Sequence, residues 1–428
     1  MGMGISARSR PSKDGGLKQD MSADLPPDLQ KRQKTGQPVS NMHKSAKKLR
    51  ILMFGYAPPP YFGPAVAYGA LLRSRFPQEF DVRFINLSVV EDLRDLEKFS
   101  VGKLLKMGRF FFVEFWYLMT EKFDFCCYPP SFNRNAFLKD ALLLGLARAF
   151  GVPTVVWAHG NNLPDFYSRS PRWMQSVIDA TIKNAVAGIV LGERLRFNFQ
   201  HQLPDENIFT VPLGIEAPGS PPPRPAMQEG LTVLYLGNLI REKGVLVLLE
   251  AIPKVVAQRP DVRFRFAGSW WRDQERQEAE RIIAENKLQS HVEFVGLVAG
   301  DAKLRALVEA DILVFPTFYH AETFGLVLLE ALWAGLPVVT TQRAAIPEII
   351  EEGVNGLFVE EHNPADLADK TLRLANDPAM RQRMSAANRE KFHRFYTHEQ
   401  YGERMIDLFN KLSSDGTSAS VPPQHDHH

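Results

Sequence analysis

The chain has 428 residues, 45% hydrophobic and 23% charged, with a formal net charge of +2. That length exceeds one ordinary core and suits two domains of a soluble globular protein. The near-neutral balance excludes a general affinity for nucleic acid. With only two cysteines, the adjacent Cys126 and Cys127, a disulfide framework is excluded and a reducing compartment is expected.

Residues 1–48 hold ten Lys/Arg against four Asp and almost no large apolar side chains. They read as a disordered basic tail, with two roles open: a solvated tail, or a segment drawn to an anionic surface. No apolar leader and no run of 18 apolar residues occurs. A cytoplasmic location is therefore expected, with contact to the inner face of a membrane left open.

Order is expected from Leu49–Phe54, a buried strand. Gly55 and the prolines after it force a loop, and Gly63-Pro64 opens a helix over Ala65–Arg75, proline being tolerated in a first helical turn. Strand, glycine loop and helix start make an anion-facing mouth at Gly63. It is not a dinucleotide fingerprint, because G-x-G-x-x-G is absent. Val82–Leu87 reads as the next strand. Over 103–119, Lys103, Lys106 and Arg109 interleave with Phe110–Phe112, Phe115, Trp116 and Tyr117. Two readings fit: an amphipathic helix lying on an anionic bilayer, or a core-packing helix with a solvated basic face.

Phe123–Tyr128 is a strand and Ala136–Phe150 a helix stopped by Gly151. The strand Val152–Trp157 delivers His159 and Gly160 at its carboxyl end. A lone histidine is more often structural, but that placement argues for a site role. A helix over Arg172–Asn184, a strand over Ala187–Leu191, a helix from Glu193 and a strand over Ile208–Val211 complete a first domain, 49–214. The run A-P-G-S-P-P-P-R-P lies in a semi-rigid, exposed linker, 215–230.

The second domain, 231–395, opens with the strand Leu231–Leu236 and the loop Gly237–Gly244, which leads into the helix Val245–Ala257. Arg241 and Lys243 sit just before that helix start. Acidic residues are the norm there, so two cations suggest an anionic partner such as a diphosphate. The strand Arg263–Ala267 ends at Gly268-Ser269. A charged helix, Gln274–Asn286, precedes the strand Val292–Val295, which runs into Gly296-Leu297. A helix over Asp301–Ala310 and the strand Ile312–Phe315 then lead to the most informative stretch.

That stretch is P-T-F-Y-H-A-E-T-F-G-L-V-L-L-E-A-L-W-A-G-L-P-V-V-T-T-Q-R-A-A-I-P, residues 316–347. A polar loop carries Glu322, Thr323 and Gly325, and an apolar helix includes Glu330. Gly335 suits a left-handed helix stop with Pro337 beyond it, and Val338–Thr340 is the next strand. In such β-α-β units ligands bind outside the carboxyl ends of the strands. Placed on one helix, Glu322 and Glu330 would stand about 12 Å apart along the axis and about 80° around it. A glycosidase pair needs roughly 5–5.5 Å or roughly 6.5–9.5 Å, so the spacing suits the two ends of an extended ligand better. The free amides of Phe324, Gly325 and Leu326 between them favour a phosphate. A nucleotide sugar has that form. Glu330 taken alone also fits a carboxylate facing water.

Downstream, Asn363, Pro364 and Asp366 form a helix start, and Thr397 with Gln400 has capping spacing. The last helix, 396–412, is followed by a loose tail, 413–428. The tail's His425, His427 and His428 have no ordered scaffold on which to hold a metal.

The string H-A-E-T-F-G-L-V-L-L-E-A-L-W-A-G-L-P-V-V resembles the E-x7-E signature of retaining glycosyltransferases of GT-B fold, the group one or family four type. The resemblance covers roughly Lys48 to Leu412. It implies an α/β architecture of two doubly wound, Rossmann-like domains facing a cleft, with the last helix crossing back onto the first domain. It implies a UDP- or GDP-sugar donor on the second domain, and a sugar or lipid-linked acceptor on the first. Envelope polysaccharide or glycolipid assembly follows, with a peripheral membrane location.

By the same resemblance Glu322 contacts the donor sugar, Glu330 the ribose, Lys243 the phosphates, His159 the reacting region, and Gly296-Leu297 the base. Gly63 stands where paired glycines are usual, and Ala344-Ala345 replaces two glycines before Ile346, Pro347 and Glu348. The pattern G-R-x-x-x-x-K-G is met at Gly237, Lys243 and Gly244, but Asn238 replaces its arginine; Arg241 is a candidate substitute. D-x-D is absent, so no metal cofactor is expected and protein cations take its place. Two other classes stay open: a nucleotide-sugar epimerase of the same fold, and a catalytically silent binding module.

Overall fold

The computed structural model of the chain describes residues 48–59, 61–88, 101–219, 221 and 230–416. Apart from Lys48, the basic tail lies outside the described residues. So do much of the proline-rich linker and everything beyond Gly416, the three terminal histidines included.

Two six-stranded sheets, parallel throughout, form the framework. The first holds β1 (Arg50–Gly55), β2 (Asp81–Asn86), β3 (Phe125–Tyr128), β4 (Thr154–Trp157), β5 (Ala187–Val190) and β6 (Ile208–Thr210), in the order β2-β1-β3-β4-β5-β6. The second holds β7 (Leu231–Leu236), β8 (Val262–Ala267), β9 (Val292–Gly296), β10 (Ile312–Phe315), β11 (Val338–Thr340) and β12 (Gly356–Phe358), in the order β12-β11-β10-β7-β8-β9. The sequence dictates this class of sheet. F-C-C-Y, T-V-V-W, A-G-I-V and I-L-V-F are buried at every position, as strands covered by helices on both faces must be. The edge strands β2 and β9 are only partly buried.

Strand order reverses between β1 and β3 in the first sheet and between β7 and β10 in the second. At such a reversal the crossovers leave to opposite faces, and a crevice opens beyond the strand ends. The loops carrying Gly63, Lys243 and Glu322 therefore all leave strands that border a reversal.

Strands fall within a residue or two of the sequence reading. Elsewhere the differences are local. The segment from Glu193 is a short 3-10 helix, Glu193–Asn198, and Arg241–Lys243 is another. Leu163–Arg169 forms a helix that the sequence reading leaves unassigned. The Pro364–Asn376 helix starts where Asn363 Oδ1 accepts from the Asp366 amide at 3.0 Å. Thr397 caps the last helix, His398–Ser414, by accepting from the Gln400 amide at 3.3 Å. That helix reaches the first sheet: the Phe409 ring lies 5.5 Å from Phe125, 5.8 Å from Phe76 and 6.0 Å from Phe80.

The basic and aromatic segment is a helix, Val101–Thr120. The side chains of Lys103 and Lys106 lie outside the described residues. From Gly108 onward the outward face differs from a solvated basic one. Phe112, Phe115, Trp116 and Met119 are all exposed, while Glu114 is fully buried.

Candidate active site

The site forms where the carboxyl ends of the two sheets meet. β7 runs out into Gly237, and the loop that follows is fixed from below by Tyr235. Its hydroxyl lies 3.0 Å from the carbonyl oxygen of Asn238 and 3.3 Å from that of Lys243. Gly244 then turns the chain into the Val245–Gln258 helix in the left-handed conformation, φ 79°. A Cβ at that position would strike the Pro316 carbonyl. Only glycine satisfies both demands, and this close approach sets the β7 loop against the β10 loop. The Phe318 amide donates to the Glu242 carbonyl at 2.8 Å, closing the contact.

Across that contact the Lys243 ammonium stands 3.5 Å from Glu322 Oε2 and over the Phe315 ring, 5.6 Å from its centroid. Glu322 belongs to the loop, because the helix begins only at Leu326. The two glutamates therefore do not share a helix. Gly325 is the N-cap, in the left-handed region, and no side chain caps the helix start. The first helical hydrogen bond runs from the Leu328 amide to the Gly325 carbonyl at 2.8 Å, so the amides before it have no acceptor within the helix. A cation and helix-start dipoles make an anion-favouring mouth. Phe324 is buried beneath it. One turn further on, Glu330 pairs with Lys303 at 2.6 Å.

The first sheet supplies the opposite wall. β4 ends at Trp157, and the rings of His159, Trp157 and Tyr68 form one cluster, His159 lying 4.5 Å from Trp157 and 5.2 Å from Tyr68, which are 4.8 Å from each other. Burial drives its pKa down to about 3, so the imidazole is neutral at physiological pH. Its Nε2 is buried with no hydrogen-bond partner. The two walls touch directly. The Thr323 hydroxyl donates to the His159 carbonyl at 3.1 Å, and Asn161 Nδ2 donates to the Glu322 carbonyl at 3.1 Å. Beside this mouth the loop after β3 is pinned by buried Asp140. That carboxylate accepts from the Tyr128 hydroxyl at 2.6 Å and the Ser131 amide at 2.7 Å.

A second contact lies behind the Glu322 loop. Glu348 accepts from the Glu193 and Arg194 amides at 2.9 and 2.8 Å. Gly192 makes room for it: a Cβ there would stand 2.6 Å from Ala345 Cβ and 2.7 Å from Glu348 Oε1. The Ala345 amide in turn donates to the Thr323 carbonyl at 3.1 Å.

The residues singled out by sequence thus fall into groups. His159, Lys243, Glu322, Thr323, Phe324, Gly325 and Leu326 come together. Glu330 lies on the same helix, in its second turn. Gly237, Gly268 and Gly296 line up at the ends of β7, β8 and β9, with Gly268 donating to the Gly296 carbonyl at 2.8 Å. Leu297 is largely exposed just beyond them. Gly63 opens its helix with empty space where a Cβ would project. Arg241 departs from the expectation: its guanidinium is engaged by Glu278. An acidic neighbour 37 residues downstream pairs with it. Asn161 and Lys303 were not singled out by sequence, and Glu348 was named only as the last residue of a family turn. Asn161 follows His159-Gly160 at a strand end, a position that carried a signal. Nothing local marks Lys303.

Comparison with known proteins finds a family match over the second half of the chain. Residues 222–391 match the family model for glycosyl transferases group 1. The chain is 32% identical over 199 residues to phosphatidyl-myo-inositol mannosyltransferase of Mycobacterium tuberculosis (strain ATCC 25618 / H37Rv), covering 45% of this chain and 50% of that protein. It is 30% identical over 183 residues to spore coat protein SA of Bacillus subtilis (strain 168), covering 42% and 48%. The chain spans about half the length of the curated relatives it matches. Among solved structures, Anabaena Alr3699/HepE in complex with UDP gives a TM-score of 0.64 at 16% identity over 85% of this chain and 100% of that one. Sucrose-phosphate synthase from Thermosynechococcus elongatus gives 0.63 at 18% over 86% and 100%. At these identities the structural likeness establishes the fold, which is GT-B.

Proposed function

We propose that this chain, whose residues 222–391 are those of a group 1 glycosyl transferase carried on a GT-B fold, is a retaining glycosyltransferase. It moves a hexose-type sugar from a UDP- or GDP-sugar to a hydroxyl of a glycan or lipid-linked acceptor. The observation that carries this is one juxtaposition. Lys243, Glu322 and the uncapped start of the Leu326–Ala334 helix meet at a strand-order reversal, hydrogen-bonded to the loop of His159.

In this reading the diphosphate lies on Lys243 and the helix-start amides. As the bond from the anomeric carbon to the phosphate oxygen breaks, its electron pair passes to that oxygen. The fixed charge and dipoles stabilise it where it develops. Glu322 holds sugar hydroxyls, Glu330 takes the ribose hydroxyls, and neutral His159 positions the sugar from the opposite wall. The acceptor oxygen bonds to the anomeric carbon on the face the leaving group vacates, and its proton passes to a donor phosphate oxygen. No metal is assigned a role, since the sequence lacks D-x-D and the counter-charge is a protein cation.

The relatives support the two substrate classes: Alr3699/HepE was crystallised with UDP, and the mycobacterial relative is named for a lipid acceptor. A peripheral membrane location on the cytoplasmic side belongs to the same proposal, and the exposed aromatics of the Val101–Thr120 helix support it.

A thermal-shift screen over UDP- and GDP-sugars, followed by nucleoside diphosphate release with and without acceptors, tests this reading. Stabilisation by one donor and acceptor-dependent release are expected. Isomerised sugar without acceptor would make the chain an epimerase, and binding without turnover a silent module.

A further inference from the structure

Each glutamate of the E-x7-E pair has its own lysine. Lys243 stands 3.5 Å from Glu322, loosely enough to yield to a phosphate, whereas Lys303 holds Glu330 Oε1 at 2.6 Å. Lys303 lies in the first turns of the Gly300–Glu309 helix, where the helix dipole disfavours a cation. Glu330 is the one charged residue in L-V-L-L-E-A-L-W-A and is 16% exposed. Neither placement is favourable alone. Together they form a short, charge-assisted bond between two neighbouring helices. The pair engages one carboxylate oxygen, Oε1, and leaves the other, Oε2, outside the bond.

We infer that Lys303 is a positioning residue, orienting Glu330 so that its second oxygen accepts from a ribose hydroxyl and the site favours ribonucleotides over deoxyribonucleotides. This rests on the proposed placement of the nucleoside at Glu330. Without Lys303 the carboxylate gains rotamer freedom and draws its own solvation. The preference for a 2′-hydroxyl then falls, while phosphate binding at Lys243 is untouched.

Calorimetric titration of the full chain with UDP and with 2′-deoxy-UDP tests it, on the wild type and on Lys303→Met, Lys303→Arg and Glu330→Ala. UDP is expected to bind the wild type roughly tenfold more tightly, the equivalent of about one good hydrogen bond to a charged group. Lys303→Met should reduce that ratio to near unity with the 2′-deoxy affinity unchanged, and Lys303→Arg should restore it. A ratio that Lys303→Met leaves intact overturns the inference, even where the melting temperature falls, because a merely structural tie moves stability alone. A ratio lost in Glu330→Ala but kept in Lys303→Met sinks only the role of Lys303. A ratio unaffected by both sinks the nucleoside placement as well, and so does failure of the wild type to bind either nucleotide or GDP.

Discussion

His159 shows how one residue takes its chemistry from its surroundings. Packed against Trp157 and Tyr68, its imidazole has its pKa lowered by burial from the ordinary 6.5 to about 3. The unfolded chain binds a proton there that the folded chain refuses. Stability is therefore lost as pH falls from about 6.5 toward about 3, by an amount on the order of a few kcal/mol. His159→Gln should flatten that part of the acid limb, measured as the urea midpoint against pH. An unchanged slope would mean that the imidazole is solvated. The residue's position at a strand end followed by glycine was legible in the sequence. Its depressed pKa was not, because the burial comes from Tyr68, 91 residues earlier in the chain. Arg241 gives the converse lesson: its position in the Gly237–Gly244 loop was legible, but its pairing with Glu278 was not.

At the scale of the element, the Val101–Thr120 helix inverts the usual pattern of a surface helix. Phe112, Phe115, Trp116 and Met119 repeat at helical spacing along the solvent side, joined by exposed Leu142 from the neighbouring helix. Glu114 faces inward, and burial lifts its pKa to about 9, so it is protonated at neutral pH. Such a face suits the interfacial region of a bilayer, with Arg109 beside it for anionic headgroups. Phe112→Ser with Trp116→Ser should abolish sedimentation with acidic vesicles while leaving UDP binding intact. Persistent sedimentation would remove the helix from the membrane contact. The alternation of basic and aromatic residues announced an amphipathic helix, but which side meets solvent depended on the packing of Glu114 and Leu118 against the sheet.

Over the whole molecule, the two sheets are tied where their carboxyl ends meet. The Glu348 carboxylate on the Glu193 and Arg194 amides, seated in the space left by Gly192, is the most specific tie. Its link through Ala345 to the Thr323 carbonyl leads back to the loop of Glu322. Glu348→Ala returns two exposed amides to water, a loss of about 1 kcal/mol. Hydrogen exchange at Glu193 and Arg194 should accelerate, and turnover at saturating donor should fall several-fold, while amides of β1 and β7 keep their protection. Unchanged exchange at Glu193 and Arg194 would show that the tie contributes nothing.

Sequence by itself determined the class of fold and the residue types gathered at the candidate site. Both are written in local order: fully apolar strand runs, a glycine before the helix starts at Val245 and Leu326, and a lysine or glutamate within three residues of that glycine. The pairing of partners was decided by tertiary structure alone. Lys303 with Glu330, Glu278 with Arg241, Glu348 with Gly192, and Tyr68 with His159 each join residues 27 or more positions apart. Backbone propensity acts over a few residues, whereas these contacts depend on strand order, which places distant loops side by side at a reversal.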